Sequence, residues 1–178
     1  MRVFASWKPG RVRWLLGLTL AFATAAGTGW AQSAHKLFII QRSTNKNEVH
    51  YDAQVTKEGK LKPDEPVVAY WIMVEKGGKR EKLNLIERKK AYGFSIKPEA
   101  GGESFRMIIV PYKARPIRVH IKDGKARAEI VIEGKPAYLK KLYIDVTEGI
   151  VIPTVNYVEL FGEDAKTGQQ RREKIVPK

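Results

Sequence analysis

Cysteine is absent from this chain. That excludes a cysteine nucleophile, a thiolate metal site and any disulfide staple. It also excludes a lipid attached to a leading cysteine. Histidine is scarce, with only His35, His50 and His120. No glycine-rich phosphate loop and no dinucleotide fingerprint occurs. Gly93-Phe94-Ser95-Ile96-Lys97 begins like a nucleophile elbow but lacks its second glycine, so Ser95 reads as a strand residue. There is no internal repeat and no low-complexity tract. Acids are few, 19 against 33 Lys and Arg. What remains is a chain of 178 residues, 43% hydrophobic and 29% charged. This is the balance of a folded domain, not of a disordered tail or a polytopic membrane protein.

The first residues read as an export signal. Arg2, Lys8, Arg11 and Arg13 make a basic start with no acid, and Trp14 to Ala26 is an apolar run. Gly29 and Ala31 then precede a plausible cleavage point. The apolar run is shorter than the roughly 20 residues of a spanning helix. The arginines form no twin-Arg pair, which favours the general export route. The reading is therefore a secretory signal over 1–31 and a single β-rich domain over 32–178, periplasmic or extracellular. The alternative is a signal kept as an anchor. Four bases and no acid precede Gln32, so the remaining 147 residues carry an excess of ten positive charges. Trp71 is their only tryptophan.

Beyond the signal the hydrophobic period is two. Ile117, Val119 and Ile121 alternate with Arg118, His120 and Lys122, and Asp123-Gly124 follows as a hairpin turn. Ala126, Ala128, Ile130 and Ile132 continue the alternation, and Glu133-Gly134 marks the next turn. Tyr138–Val146 is a further strand, broken at Lys140-Lys141 by what reads as a bulge. Other strands are expected at 36–41, 48–55, 94–97, 105–110, 155–161 and 170–176. Val67–Val74 is nearly all apolar and is expected to be covered on both faces. On Val155–Phe161, Asn156 should share a face with Val158 and Leu160, with Tyr157 and Glu159 opposite.

One helix is expected over Leu85–Tyr92. Asn84 caps it, Glu87 completes a capping box, and Gly93 stops it. About two turns are too short to stand alone, so packing must hold it, with Ile86 the expected anchor. The fold class is all-β: a mainly antiparallel β-barrel or β-sandwich of about eight strands with one short helix near 85–92.

Catalytic chemistry finds little support. His50 and Asp52 share a strand face, but no spacing supplies a third metal ligand. No metal site and no cofactor is expected. The least ordinary stretch is Tyr70-Trp71 together with Glu87, Arg88, Lys89 and Tyr92, a basic helix beside aromatics suited to an anionic or sugar ligand. Asn156 and Glu159 form a similar polar group beside Tyr157.

The mature chain resembles an exported bacterial family catalogued as domain of unknown function 4833. The resemblance is carried by Gln41–Asn47, Pro66–Ile72, Ile86–Gly93 and Pro153–Leu160, in order. It implies no reaction, ligand or catalytic residue. The expectation is an exported binding module for an anionic, lipid or glycan component of the envelope, or for an envelope protein. Export makes nucleic acid the least fitting partner, and no transmembrane span should remain after cleavage. Two alternatives stand beside it. One is an envelope hydrolase using Glu87 or Glu159 as general acid/base. The other is an assembly protein using the sheet edge at Gln170–Val176.

Overall fold

A computed structural model describes residues 35–147 and 154–177. The expected signal and its cleavage point lie outside the described residues. Eleven strands form one sheet that curls into an open half-barrel. They are β1 (His35–Arg42), β2 (Glu48–Ala53), β3 (Val67–Met73), β4 (Lys79–Lys82), β5 (Phe94–Pro98), β6 (Ser104–Ile109), β7 (Tyr112–Lys122), β8 (Lys125–Ile132), β9 (Lys135–Thr147), β10 (Thr154–Asp164) and β11 (Gln170–Ile175). The all-β class holds, with more strands than the eight expected. The strand absent from the sequence reading is β4, Lys-Arg-Glu-Lys, which has no apolar residue to reveal it.

Sheet order is β4-β3-β2-β1-β9-β8-β7-β6-β5, with β10 and β11 added beside β9. Strand β9 joins the two halves. It pairs with β10 along almost its whole length. On its other flank, Lys135–Tyr138 pair with β8 and Lys141–Ile144 pair with β1. The β1–β9 contact is parallel, while every other strand pair is antiparallel.

Local chemistry sets the register. Asp123-Gly124 and Glu133-Gly134 have positive φ at both residues, the geometry that tight hairpins require. Lys140 is the unpaired residue of a bulge: Phe161 faces Lys141 while Gly162 faces Leu139. A second bulge corrects the expectation for β10. Val155 faces Val146 and Tyr157 faces Asp145, so Asn156 is the extra residue. Its amide turns to Asp145 and Thr147, away from buried Val158 and Leu160. Strand β3 is also corrected. Only Val67 is fully buried, and Val68–Met73 are half-buried, because the outer face of the half-barrel is open to solvent.

The core lies on the concave face. Phe38, Ile40, Val49, Tyr51, Met107, Ile117, Ile132, Leu142 and Leu160 are fully buried there. Phe38 and Tyr51 stack with centroids 4.5 Å apart. The β10–β11 hairpin is held by Asp164, which accepts from the backbone N–H groups of Lys166 and Thr167 and pairs with Arg171 at 2.7 Å. Those backbone bonds, and then the arginine, hold its carboxyl well below the usual carboxylate range. With the folded pKa depressed, the stabilisation is complete above the unfolded carboxylate pKa of about 4 and fades as pH falls further. In melts from pH 6 down to about pH 2, Asp164→Asn is therefore expected to lose less stability on acidification than the parent. Parallel curves would refute this.

Candidate functional site

The site begins where β4 stops. Asn84 accepts from the Glu87 N–H at 2.9 Å, and the Glu87 carboxylate accepts from the Asn84 N–H at 2.8 Å. This capping box starts the helix one residue after buried Leu83 and leads the chain away from β3. Only Tyr70–Met73 of β3 are paired with β4, so Val67–Ala69 have no strand partner on that side among the described residues. A cleft of about 640 Å³ opens there, between this edge and the start of β5.

The helix comprises α1 (Leu85–Glu87) and one π-helical turn over Arg88–Tyr92. It is not anchored through Ile86, which is 74% exposed. Tyr92 does that work: it is buried, meets Trp71 edge-on at 4.8 Å, and lies under the Arg42 guanidinium at 4.7 Å. Its backbone carbonyl accepts from the Tyr51 hydroxyl at 2.5 Å. Gly93 ends the helix, but not by a left-handed turn: its φ is −72°. Glycine is needed because a Cβ would lie 1.8 Å from the Arg88 carbonyl oxygen.

The cleft has an apolar floor and a basic rim. Val67, Val68, Ala69, Leu83 and Phe94 supply the apolar surface, with Arg80, Lys82 and Arg88 around it and Glu65 the only acid among the described residues that line it. Arg80 stacks on the Tyr70 ring at 3.5 Å. The Tyr70 hydroxyl donates to buried Asp52 at 2.5 Å. Burial first, and then this bond, push the Tyr70 phenol up to about 12, so it remains a donor at neutral pH.

The residues singled out from sequence divide into four groups. Tyr70 and Arg88 line the cleft. Trp71 and Glu87 line a smaller pocket of about 260 Å³, since neighbouring strand residues Tyr70 and Trp71 point to opposite faces. Tyr92 is a packing residue, and Lys89 is exposed without entering either cavity. Asn156 and Glu159 lie apart on β10. There, buried Glu159 pairs with Arg172 at 2.6 Å, and Lys174 sits 3.6 Å over the Tyr157 ring. The two glutamates considered for acid/base work are thus engaged in a helix cap and an ion pair, and neither lines the cleft. His50 pairs with Glu48 and Asp52 with Tyr70. Among the described residues no group of three His, Asp or Glu is placed to hold a metal.

Sequence reasoning missed Arg80, Lys82 and Phe94. The first two lie on β4, which hydrophobic period does not reveal. Phe94 carried no signal beyond its place in a strand.

The family described as a domain of unknown function, DUF4833, matches residues 38–174. The chain belongs to that family. The match runs from within β1 to within β11 and includes the residues that line the cleft. No curated protein and no solved structure matches the chain. Among the described residues of this DUF4833 member, no helix is long and apolar enough to cross a membrane.

Proposed function

We propose that this protein is an exported, periplasmic or extracellular, binding module for an anionic envelope component that carries an apolar part. One observation supports the reading above the others: a cleft of about 640 Å³ whose apolar floor is ringed by Arg80, Lys82 and Arg88. Binding sites for small molecules are typically apolar concavities with a few placed polar groups. A lipid-like tail would replace water over Val68, Leu83 and Phe94, while guanidinium groups fork onto an anionic head. The Tyr70 ring holds the Arg80 guanidinium in place, which reduces the ordering cost of binding.

Dodecyl phosphate is a direct probe, followed by thermal shift and calorimetry at low salt. A ligand that binds only the folded state, at 100 times its dissociation constant, raises stability by roughly 2.7 kcal/mol. The Arg80→Glu/Arg88→Glu double variant is expected to weaken binding more than about tenfold, the scale of lost charge-assisted hydrogen bonds. Lys89→Glu, outside the cleft, should stay within about twofold because an exposed charge in high dielectric acts weakly. Equal affinity in all three proteins would refute the assignment.

A further inference from the structure

The most exposed large hydrophobic side chains among the described residues, Leu85 and Ile86, precede the basic run Arg88-Lys89-Lys90. Leu85 and Ile86 are 73% and 74% exposed, neighbours in the first turn of the helix. Val74, 43% exposed, lies in the preceding connection. Single exposed hydrophobics are ordinary, but an adjacent pair this open is not needed for the core. The helix is already anchored at its other end by Tyr92, and the capping box fixes its first turn. Leu85 and Ile86 are therefore held outward on a rigid support.

The surrounding charge is one-sided. Arg88, Lys89 and Lys90 occupy the next turn, and Lys79, Arg80 and Lys82 lie on the strand leading into it. Of the nearby acids, Glu65 lines the cleft, and the three on the segment from 74 to 87 are turned to other duties. Glu75 accepts from Asn47 and Lys46, Glu81 pairs with Lys79, and Glu87 caps the helix. Among the described residues, Lys82, Arg88, Lys89 and Lys90 have no ion-pair partner. Lys82 and Arg88 line the same cleft, so strand and helix charges belong to one end of the sheet.

We infer that this end of the molecule docks on an anionic lipid bilayer, with Leu85 and Ile86 entering the headgroup–acyl boundary and the basic cluster contacting lipid phosphates. Apolar side chains flanked by Lys and Arg are the combination that binds bilayer interfaces. A free polyanion would use the charges and leave Leu85 and Ile86 in water. The inference stands independently of the cleft's occupant.

The test is vesicle binding by the purified full chain, to phosphatidylcholine alone and with about one third phosphatidylglycerol, at low salt. The apolar run near the start of the chain can bind vesicles too, so contact is localised by amide hydrogen exchange at 85–90. Protection there is expected only with phosphatidylglycerol. Leu85→Ser/Ile86→Ser and Lys89→Glu/Lys90→Glu should each reduce it at least about tenfold. Both pairs are exposed, so melting temperatures should stay near the parent's. Dodecyl phosphate binding by the Leu85→Ser/Ile86→Ser variant should also be retained. Vesicle binding without protection at 85–90 would overturn the inference. So would equal protection on neutral vesicles, or a serine variant that binds like the parent.

Discussion

Truncating Tyr51 to alanine is expected to cost the fold about 3–5 kcal/mol, the range for large aromatic residues lost from a core. At about 3 °C per kcal/mol for a domain of this size, the melting temperature should fall by roughly 9–15 °C. The reason is where Tyr51 sits. It is fully buried on β2, stacked on Phe38 of β1 and tilted against Phe94 of β5 at 6.0 Å. Its hydroxyl reaches the Tyr92 carbonyl at the end of the helix. One side chain thus ties strands near one end of the sheet order to β5 at the other, across the gap that leaves the half-barrel open.

The phenylalanine variant separates packing from hydrogen bonding. Tyr51→Phe keeps the ring but leaves the buried Tyr92 carbonyl without this donor, at a cost of about 1–3 kcal/mol. Burial raises the Tyr51 phenol far above its ordinary value, so the hydroxyl stays a donor throughout the working range and its contribution is independent of pH there. Amide exchange over 85–92 should quicken in Tyr51→Phe, because the bond holds the helix. A variant with parent stability and unchanged exchange would show that the hydroxyl does not hold the helix.

The sequence makes much of this fold legible, for reasons that differ from element to element. The β7–β8–β9 meander is visible because alternation and Asp-Gly or Glu-Gly turns are local signals. So is the capping box, which Asn84 and Glu87 form as their spacing predicts. The bulge at Lys140 is legible as two charges interrupting an alternation. What stays hidden is non-local or uncoloured by hydrophobicity. The parallel β1–β9 pairing joins residues about a hundred positions apart, and no periodicity encodes a partner at that distance. Strand β4 is all charged, and it pairs because β3 presents a free edge. Its absence from the sequence reading also hid Arg80 and Lys82, and with them the cleft. Strict alternation puts Asn156 on the face of Val158 and Leu160, because alternation cannot anticipate an inserted residue. The candidates Tyr70 and Arg88 are found in one place because they are residues of the right chemistry near the chain segment that turns away from the sheet. Of the others with the same chemistry, Tyr92 is a packing residue, and Trp71 packs on it while also lining the smaller pocket.

Gly93→Ala is expected to destabilise the protein by about 2–4 kcal/mol, at the upper end of overpacking costs. It should also disturb the cleft. The backbone at Gly93 is extended and suits any residue, so the effect does not come from φ. It comes from space. The new methyl group would fall 1.8 Å from the Arg88 carbonyl oxygen and 2.7 Å from its carbon. These are backbone atoms of the helical turn and cannot rotate aside as a side-chain tip would. The turn over Arg88–Tyr92 must therefore shift or unwind. Tyr92 then loses its fit against Trp71 and Tyr51, and Arg88 moves relative to Arg80 and Lys82 across the cleft. Two measurements should move together: a melting temperature lower by roughly 6–12 °C, and a weaker affinity for dodecyl phosphate in the fraction that remains folded. Ser95→Ala, two residues on and exposed, is the control and should change neither. If Gly93→Ala lost stability but kept parent affinity, the helix would be a structural cover and not part of the binding site. If it lost neither, the helix end would be free to move, and the rigid support required for Leu85 and Ile86 at its other end would fail with it.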